Sequence, residues 1–566
     1  METMEDVIIV GGGPVGLLLA CELKLAGADP LVLESADGEA RRTRSLGLRS
    51  LNARTVQSLA LRGLVEPVER AQQEMLGGLS GPARDDVVGL MLEVLRKGGI
   101  RGHFAGMPLL EPAGGAEYLM LKQDRLEEIL AERAVAMGVR IRQGRAVTDV
   151  TQDGSAATAT LAGGQVVRGA YLVGCDGGRS VVRKRAGFAF DGTPPTMTGR
   201  TAVAELADPS LVTSSLRGPG GLVNLSLVPG EIATIEFDGG PGDRDAPMTA
   251  AELQASLRRV TGLEVVVERV ETGIRYGDNT RHAETYRKGR VLLAGDAAHV
   301  HSPIGGQGLN LGMQDAFNLG WRLGLVVRGA APESLLDGYT AERHPVAARV
   351  LRNARAQVAL MRPGAQVEAL REVLGEVIGL REGRRYFAGM MDGTAIDYAP
   401  GAAEPLVGRF VPDLRLTGTA GVAELLRDGR GLLIGFAQAG AGQAGTARAG
   451  GGQAGAGEAG AGQAGTARAG GGQAGAGEAG AGQAGTARAG GGQAGAALAG
   501  HRDRVRAAWA EPGGGVSAGV GTAGPGGGLG GAGAWLVRPD GYVAWAGEPG
   551  EAAEALTTWF GPPAVR

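Results

Sequence analysis

Residues 6–34 leave this chain few ways to fold. Asp6-Val7-Ile8-Ile9-Val10 is a short, β-branched apolar run of the kind that forms a parallel strand buried on both faces. Gly11-Gly12-Gly13-Pro14-Val15-Gly16 follows, a G-x-G-x-x-G turn leading into a helix expected over Val15–Ala26. A second apolar run, Pro30–Leu33, ends at Glu34, 18 residues beyond Gly16. In such a β-α-β unit the glycines let backbone N–H groups close on a pyrophosphate at the helix N-terminus. The acid at the end of the second strand takes a ribose 2′-hydroxyl. Gly11, Gly13, Pro14, Val15, Gly16 and Glu34 are therefore the first candidate cofactor residues. An acid at position 34 suits an adenosine ribose without a 2′-phosphate, so FAD or NAD fits this site and NADP does not.

A second anchor lies far along the chain, GRVLLAGDAAHVHSPIGGQGLNLGMQDAFNLGWRLGLVV at 290–327. Val291–Ala294 reads as a buried strand closed by Gly295-Asp296. Pro303 and the glycines at 305, 306, 308 and 312 then run into a helical pattern carried by Leu311, Ala316, Leu319, Leu323 and Val327. A carboxylate at a strand end accepts hydrogen bonds from polyol hydroxyls, and a Gly-rich turn lets backbone approach a flat ring. The helix start behind it brings partial positive charge. That combination suits a flavin, with Asp296 on ribityl or ribose hydroxyls and the helix start facing N1 and C2=O.

Between the two anchors, Ala170–Gly174 reads as a strand ending in Cys175-Asp176-Gly177, with Ser180 and Arg183 opening a helix. Asp176 can cap that helix, and Arg183 supplies a cation near phosphates. Arg41, Arg42 and Arg44 form a basic cluster just after the ribose-binding strand. His103, in a Gly-rich stretch, is the substrate-side candidate for catalysis. Helices are expected over Ala53–Arg62 and Leu121–Met137, and strands at Val139–Ile141 and Ala156–Leu161. From Gly187 to about Glu271 the pattern changes to short β-like runs, Leu222–Val228 and Ile232–Phe237, with one helix, Ala250–Thr261. This reads as an antiparallel sheet covering a substrate. Residues 333–390 are helical, with Tyr339, His344 and Pro345 at a helix turn.

Beyond Pro400 comes a further unit, with a strand at Gly431–Phe436 and a hairpin over Gly533–Trp545 turning at Pro539-Asp540-Gly541. Between them AGAGQAGTARAGGGQAGAGE occupies 439–458, recurs at 459–478 and returns with an altered end at 479–498. The repeats account for part of the 103 glycines among 566 residues. Leu498 is their only aliphatic side chain larger than alanine, so the expectation is a disordered insertion. A second Gly-rich stretch, 512–534, is expected to be mobile. Net charge is −3 and the isoelectric point about 6.2, which argues against a nucleic acid or anionic-membrane partner. The acidic start METMEDVIIV enters a strand at once, no apolar run spans a bilayer, and Cys21 and Cys175 are the only cysteines. A soluble, cytoplasmic location is expected, and the sequence carries no signal for oligomeric state. Asp296, His299 and His301 could be read as metal ligands, but Asp296 serves a flavin better, so no metal is expected.

With the three motifs placed, the chain resembles the FAD-dependent aromatic hydroxylases of the para-hydroxybenzoate hydroxylase fold. Gly11–Gly16 with Glu34, Cys175-Asp176-Gly177 with Arg183, and Gly295-Asp296 match that group's three signatures in order. Arg44-Ser45-Leu46-Gly47, His103-Phe104-Ala105-Gly106, Gly305-Gly306-Gln307-Gly308-Leu309-Asn310 and Arg538-Pro539-Asp540-Gly541 look like its bacterial aromatic-polyketide members, of the angucycline and anthracycline type. The resemblance implies an α/β protein: a Rossmann-like FAD-binding domain over 1–180 and 272–400, with a substrate-side excursion at about 75–116. A β-rich substrate domain would cover 181–271. A C-terminal thioredoxin-like domain would span 401–566, interrupted by the Gly/Ala repeat at 437–500. It implies that Glu34, Arg44, Gln123 and Asp296 bind FAD and that the loop at 303–311, with Pro303, Gly306, Gly308, Leu309 and Asn310, lies on the isoalloxazine. It implies, further, that NADPH or NADH reduces the flavin, and that O₂ then yields a C4a-hydroperoxide which hydroxylates a polycyclic aromatic substrate. The same oxidant inserting oxygen beside a ketone (Baeyer–Villiger chemistry) is the alternative. An NAD-dependent dehydrogenase is a more distant one, since no convincing His, Tyr-Lys or metal set accompanies the motifs.

Overall fold

The computed structural model describes residues 4–37, 46–78, 100–110, 118–212, 216–225, 228, 230–414, 416, 420–436, 495, 498–510 and 533–564. Arg41, Arg42, Arg44 and Ser45, much of the 75–116 excursion, almost all of the repeat and residues 511–532 lie outside them.

Five parallel strands form the centre. They are β1 (Glu5–Val10), β2 (Pro30–Leu33), β3 (Arg140–Arg142), β4 (Val166–Gly174) and β5 (Val291–Leu293), in the order β5-β4-β1-β2-β3. Val7, Ile8 and Ile9 are fully buried, as a continuous apolar run in a covered parallel strand must be. The helix after β1 is α1 (Pro14–Leu25), with Pro14 at its first turn, where its missing N–H costs nothing. The helix after β5 is α2 (Gln307–Val327), buried on all sides, including Asp315 and Arg322. It packs along α1 and is followed by α3 (Asp337–Met361) and α4 (Arg381–Met391).

The middle of the chain adds a five-stranded antiparallel sheet in the order Leu216–Gly218, Gly221–Leu225, Glu231–Glu236, Thr198–Leu206, Val267–Gly277. The helix Ala250–Thr261 covers one face through Leu253, Leu257 and Val260. Its ends fall where the sequence puts them, because Thr249 caps the start and Gly262 ends it in a left-handed conformation. Near the C-terminus, Gly431–Phe436 runs parallel to Val505–Ala510 and antiparallel to Ala534–Val537. That last strand pairs with Val543–Gly547, and the helix Ala552–Phe560 packs against the pair.

Three expectations need correction. Leu121 is not helical: Leu119–Lys122 alternates buried and less buried residues, pairs with Leu48–Leu51, and the helix begins at Gln123. Pro345 makes no turn but sits inside α3. Buried Tyr339 and Arg343 before it, and Val346 and Ala347 after it, anchor both halves and offset the roughly 3 kcal/mol that an internal proline costs. Leu498 is no part of a featureless insertion; it is buried in the C-terminal core with Leu536, Leu556 and Phe560.

Candidate functional site

The first motif folds as its glycines require. Gly11 has φ +108°, and a Cβ there would stand 2.3 Å from the Cys175 carbonyl oxygen. A Cβ at Gly16 would meet the Gly11 oxygen at 2.0 Å. Gly13, by contrast, has only Glu127 Oε1 at 4.0 Å beside it, so the turn is closed on the protein side and open at the helix N-terminus. Glu34 is buried at the end of β2, where its carboxylate accepts from the backbone N–H of Gly12 and Ala36, each at 2.7 Å. The same turn is tied to the next candidate: Gln123 donates to Glu127 Oε1 at 2.9 Å and accepts from Arg49 Nε at 3.0 Å.

Arg49 was not singled out in the sequence. Burial pushes its pKa down, while the neighbouring carboxylates of Asp296 and Glu231 push it up. Asp296 is exposed between buried Gly295 and Ala297, in a single 3-10 turn after β5. Arg183 braces that turn by donating to Ala297 O at 3.0 Å and to Gly178 O at 2.9 Å, with its guanidinium over Phe190. Asp176 accepts from the Ser180 hydroxyl at 2.5 Å and from Val181 N–H at 2.7 Å, capping the helix that carries Arg183. Both residues thus have protein partners and act on the turn from behind.

Gly306 caps α2 in the left-handed region, φ +64°, and a Cβ there would be 2.3 Å from Ser50 Oγ. No other residue type fits that corner. Asn310 locks the loop, donating to Ser50 O and Gly306 O at 2.8 Å and accepting from Asn52 N–H at 2.9 Å. His301 donates from Nδ1 to Ser302 O at 2.6 Å, which leaves Nε2, beside Gly308, as a buried acceptor without a partner among the described residues. Burial holds the His301 pKa down, against the Ser302 carbonyl and Asp296.

Behind the Gly295 turn lies a network the sequence reading missed. Asp315 accepts from Gly295 N–H at 3.0 Å, from His299 Nε2 at 2.7 Å and from Arg343 Nε at 2.8 Å. Burial would raise its pKa, but Arg343 and His299 hold the carboxyl below its usual range. The available signal was a pair of charged residues, Asp315 and Arg322, on a helix whose apolar residues run around its whole circumference. His299 is therefore spent on Asp315, and no metal-holding cluster occurs among the described residues. His103 is half-buried on the hairpin Ile100–Phe104/Met107–Leu110 and accepts from Gly106 N–H at 3.2 Å. The hairpin reaches the loop through Gln357, which accepts from Ala105 N–H at 3.0 Å and lies against Gly305. Ala105 has φ +50°, the only such non-glycine among the described residues.

Taken together, the residues fit FAD. A turn open at a helix N-terminus can take a pyrophosphate, and Asp296 and His301 Nε2 are acceptors for polyol hydroxyls. A glycine loop at the start of α2 can lie on a flat ring. Across from the loop, Met197, Leu222, Ile235, Phe237 and Tyr276 of the middle unit pack with Ile304 and Val358, making an apolar wall.

Comparison with known proteins agrees with this geometry. Residues 4–354 match the family described as FAD binding domain, and residues 479–563 match the one described as aromatic-ring hydroxylase, C-terminal. A 12-dehydrotetracycline 5-monooxygenase/anhydrotetracycline 6-monooxygenase from Streptomyces rimosus is 37% identical, with 99% of both chains aligned. Among solved structures, the OxyS anhydrotetracycline hydroxylase from Streptomyces rimosus superposes with a TM-score of 0.74 at 35% identity, covering 99% of this chain and 100% of that one. CabE, an aromatic hydroxylase from angucycline biosynthesis, gives 0.74 at 33% identity over the same shares.

Proposed function

This chain belongs to the FAD binding domain family and is an FAD-dependent aromatic monooxygenase using NAD(P)H and O₂; from that premise we propose that it hydroxylates a polycyclic aromatic polyketide. What supports the substrate class is the likeness to anhydrotetracycline and angucycline hydroxylases, together with the apolar cluster in which Met197, Leu222, Ile235 and Phe237 pack on Ile304 of the loop, a setting that suits a flat multi-ring molecule better than a small polar one. When bound, FAD supplies the chemistry, accepting reducing equivalents from NAD(P)H and activating O₂. In this reading the chain binds, orients and dries. The Gly11–Gly16 turn would take the pyrophosphate, Glu34 the adenosine ribose and Asp296 the ribityl chain. Gln123 and Arg49 hold the rim, and the loop from Pro303 through Gly306, Gly308, Leu309 and Asn310 supports the ring. The start of α2 carries partial positive potential at the loop, which would stabilise negative charge on a ring held there.

The same reading divides the chain into an FAD-binding unit at 1–180 and 272–400, a middle unit at 181–271 and a C-terminal unit at 401–566. The middle sheet's last strand reaches Gly277, so that join falls a few residues later than the sequence pattern puts it. We assign the C-terminal unit a thioredoxin-like fold. Support comes from two parallel strands followed by an antiparallel pair and a helix, with Gly431–Phe436 inside the sheet. Neither cysteine lies there, so the unit does no dithiol chemistry. Both cysteines are free, which fits work in the cytoplasm, and no described helix is long and apolar enough to cross a membrane.

The test is NAD(P)H consumption by the FAD-loaded enzyme with and without polycyclic phenols or quinones. Substrate-stimulated oxidation, with a new hydroxyl in the ¹³C spectrum of the product, supports hydroxylation. A carbonyl converted to an ester signal would make the reaction a Baeyer–Villiger insertion instead. No stimulation by any polycyclic aromatic would remove the substrate class.

A further inference from the structure

The first turn of α2 has a second face. Gly308 and Gly312 turn toward His301 and the Gly295 turn, whereas Gln307, Asn310, Leu311 and Gln314 wall a cavity of about 220 Å³ closed by α3 and α4. Among the described residues, five arginines and no carboxylate line this cavity. Arg343 is committed to Asp315, and Arg54 donates to Gln57 and to the Gly393 carbonyl. Arg349, Arg352 and Arg385 are exposed and, among the described residues, make no ion pair; Arg352 has a long contact, 3.4 Å, to Asn353 Oδ1. Gln307 is 5% exposed and donates to Met390 O at 3.2 Å, yet its Oε1 is buried without a partner among the described residues. Tyr386, 63% exposed, stands at the rim.

These features call for a ligand of one kind. Three guanidinium groups free to turn into one concavity, on a chain whose net charge is −3, make a local positive field that attracts and fixes phosphate. A buried unpaired carbonyl oxygen is costly unless something donates an N–H to it. An exposed tyrosine ring offers a stacking surface for a base. The volume is below the roughly 300–1,000 Å³ of a pocket that encloses a whole ligand, so it holds one end of a longer molecule. Gln307 and Asn310 belong both to this cavity and to the loop assigned to the flavin.

We propose that this cavity docks the phosphate-bearing end of the NAD(P)H that reduces the flavin, with Arg349, Arg352 and Arg385 on phosphate and Gln307 Oε1 accepting an N–H. The inference rests on the monooxygenase reading, which requires that reductant. It also accounts for how two dinucleotides are handled when, among the described residues, one G-x-G-x-x-G turn sits in a β-α-β unit: the turn keeps FAD, and the reductant uses a separate basic cleft.

The test compares FAD-loaded wild type with the triple variant Arg349→Gln, Arg352→Gln, Arg385→Gln. NADP⁺, NAD⁺ and inorganic phosphate are each titrated by calorimetry. The expected result is a Kd for the preferred nucleotide at least tenfold weaker in the variant, with unchanged FAD content and unchanged affinity for the aromatic substrate. Its KM for the reductant should rise by a similar factor, while the flavin reduction rate at saturation stays within about twofold. Binding should also weaken more steeply with salt in the wild type than in the variant. A nucleotide Kd within twofold of wild type in a protein that is still yellow overturns the proposal. So does loss of phosphate binding alone, which would mark an adventitious anion site only. Should the triple variant not fold, Arg385→Gln alone is read in the same way against a threefold threshold. If the wild type oxidises neither NADPH nor NADH, the functional reading falls too; if it does so with a KM indifferent to these arginines, only the docking site falls.

Discussion

Asp296 and His301 differ in what the fold leaves open to them, and that difference can be measured. Asp296 presents an exposed carboxylate from a buried turn, whereas His301 offers one buried nitrogen. Charge-assisted hydrogen bonds contribute about 1.5–3 kcal/mol each, so Asp296→Ala should weaken FAD binding by roughly ten- to a hundredfold. His301→Ala should weaken it by clearly less; equilibrium dialysis of released FAD gives both constants, and equal constants would remove Asp296 from the site. Asp315→Asn tests the network behind the turn. It leaves Arg343 buried with half its partner, so stability should drop by about 3 kcal/mol or more, read as a lower urea midpoint. At this scale the sequence was legible wherever a residue type is forced by geometry, as at Gly11 and Gly306. It was not legible at Arg49 or Asp315, whose partners are far away in sequence and carry no spacing signal.

Elements were legible in proportion to how much of their stability is local. Ala250–Thr261 has a side-chain cap and a left-handed glycine, and both bounds could be read. α3 was misread at Pro345 because tertiary anchoring overrides a local breaker there. α3 also carries His344, stacked 3.9 Å from His282 at 15°. Burial, together with His344 and His299, pushes His282 down to about 3 from an ordinary 6.5. The unfolded chain therefore binds a proton that the folded one refuses between those values, so stability is lost as pH falls from about 6.5 toward 3. Thermal melts at pH 7, 6 and 5 should show a falling midpoint, and His282→Phe should flatten the decline. An unchanged slope in that variant would place the acid sensitivity elsewhere.

Over the whole molecule, the C-terminal unit is held to the FAD-binding unit by buried charge rather than by apolar area alone. Arg538, from the hairpin, pairs with Asp540 and reaches Glu342 at 2.7 Å; Arg322 reaches the same carboxylate at 2.6 Å. Burial would raise the Glu342 pKa, but Arg322 and Arg538 hold it at about 2. Its stabilisation is thus complete above its ordinary 4.5 and lost as pH falls toward 2. Glu342→Ala, which leaves two buried arginines short of a partner, should cost about 3–5 kcal/mol and loosen the C-terminal unit, seen as faster proteolysis there. Deleting 439–490 should leave folding and FAD content nearly unchanged, because those repeats carry no apolar anchor. Leu498→Ala should cost about 2–5 kcal/mol, since that side chain is in the core. Aggregation of the deletion protein would show that the repeats pack against something. The architecture was legible because three nucleotide-binding motifs lie in order along the chain; the inter-unit charge cluster was not, because its members are drawn from three separate stretches. The central claim is that these motifs together hold an FAD that puts one atom of O₂ into an aromatic ring. It is tested most directly by supplying NAD(P)H, a polycyclic phenol and ¹⁸O₂ to the FAD-loaded enzyme and weighing the product. One ¹⁸O per product molecule is the predicted result; product oxygen drawn only from water, or substrate oxidised with no oxygen gained, would contradict it.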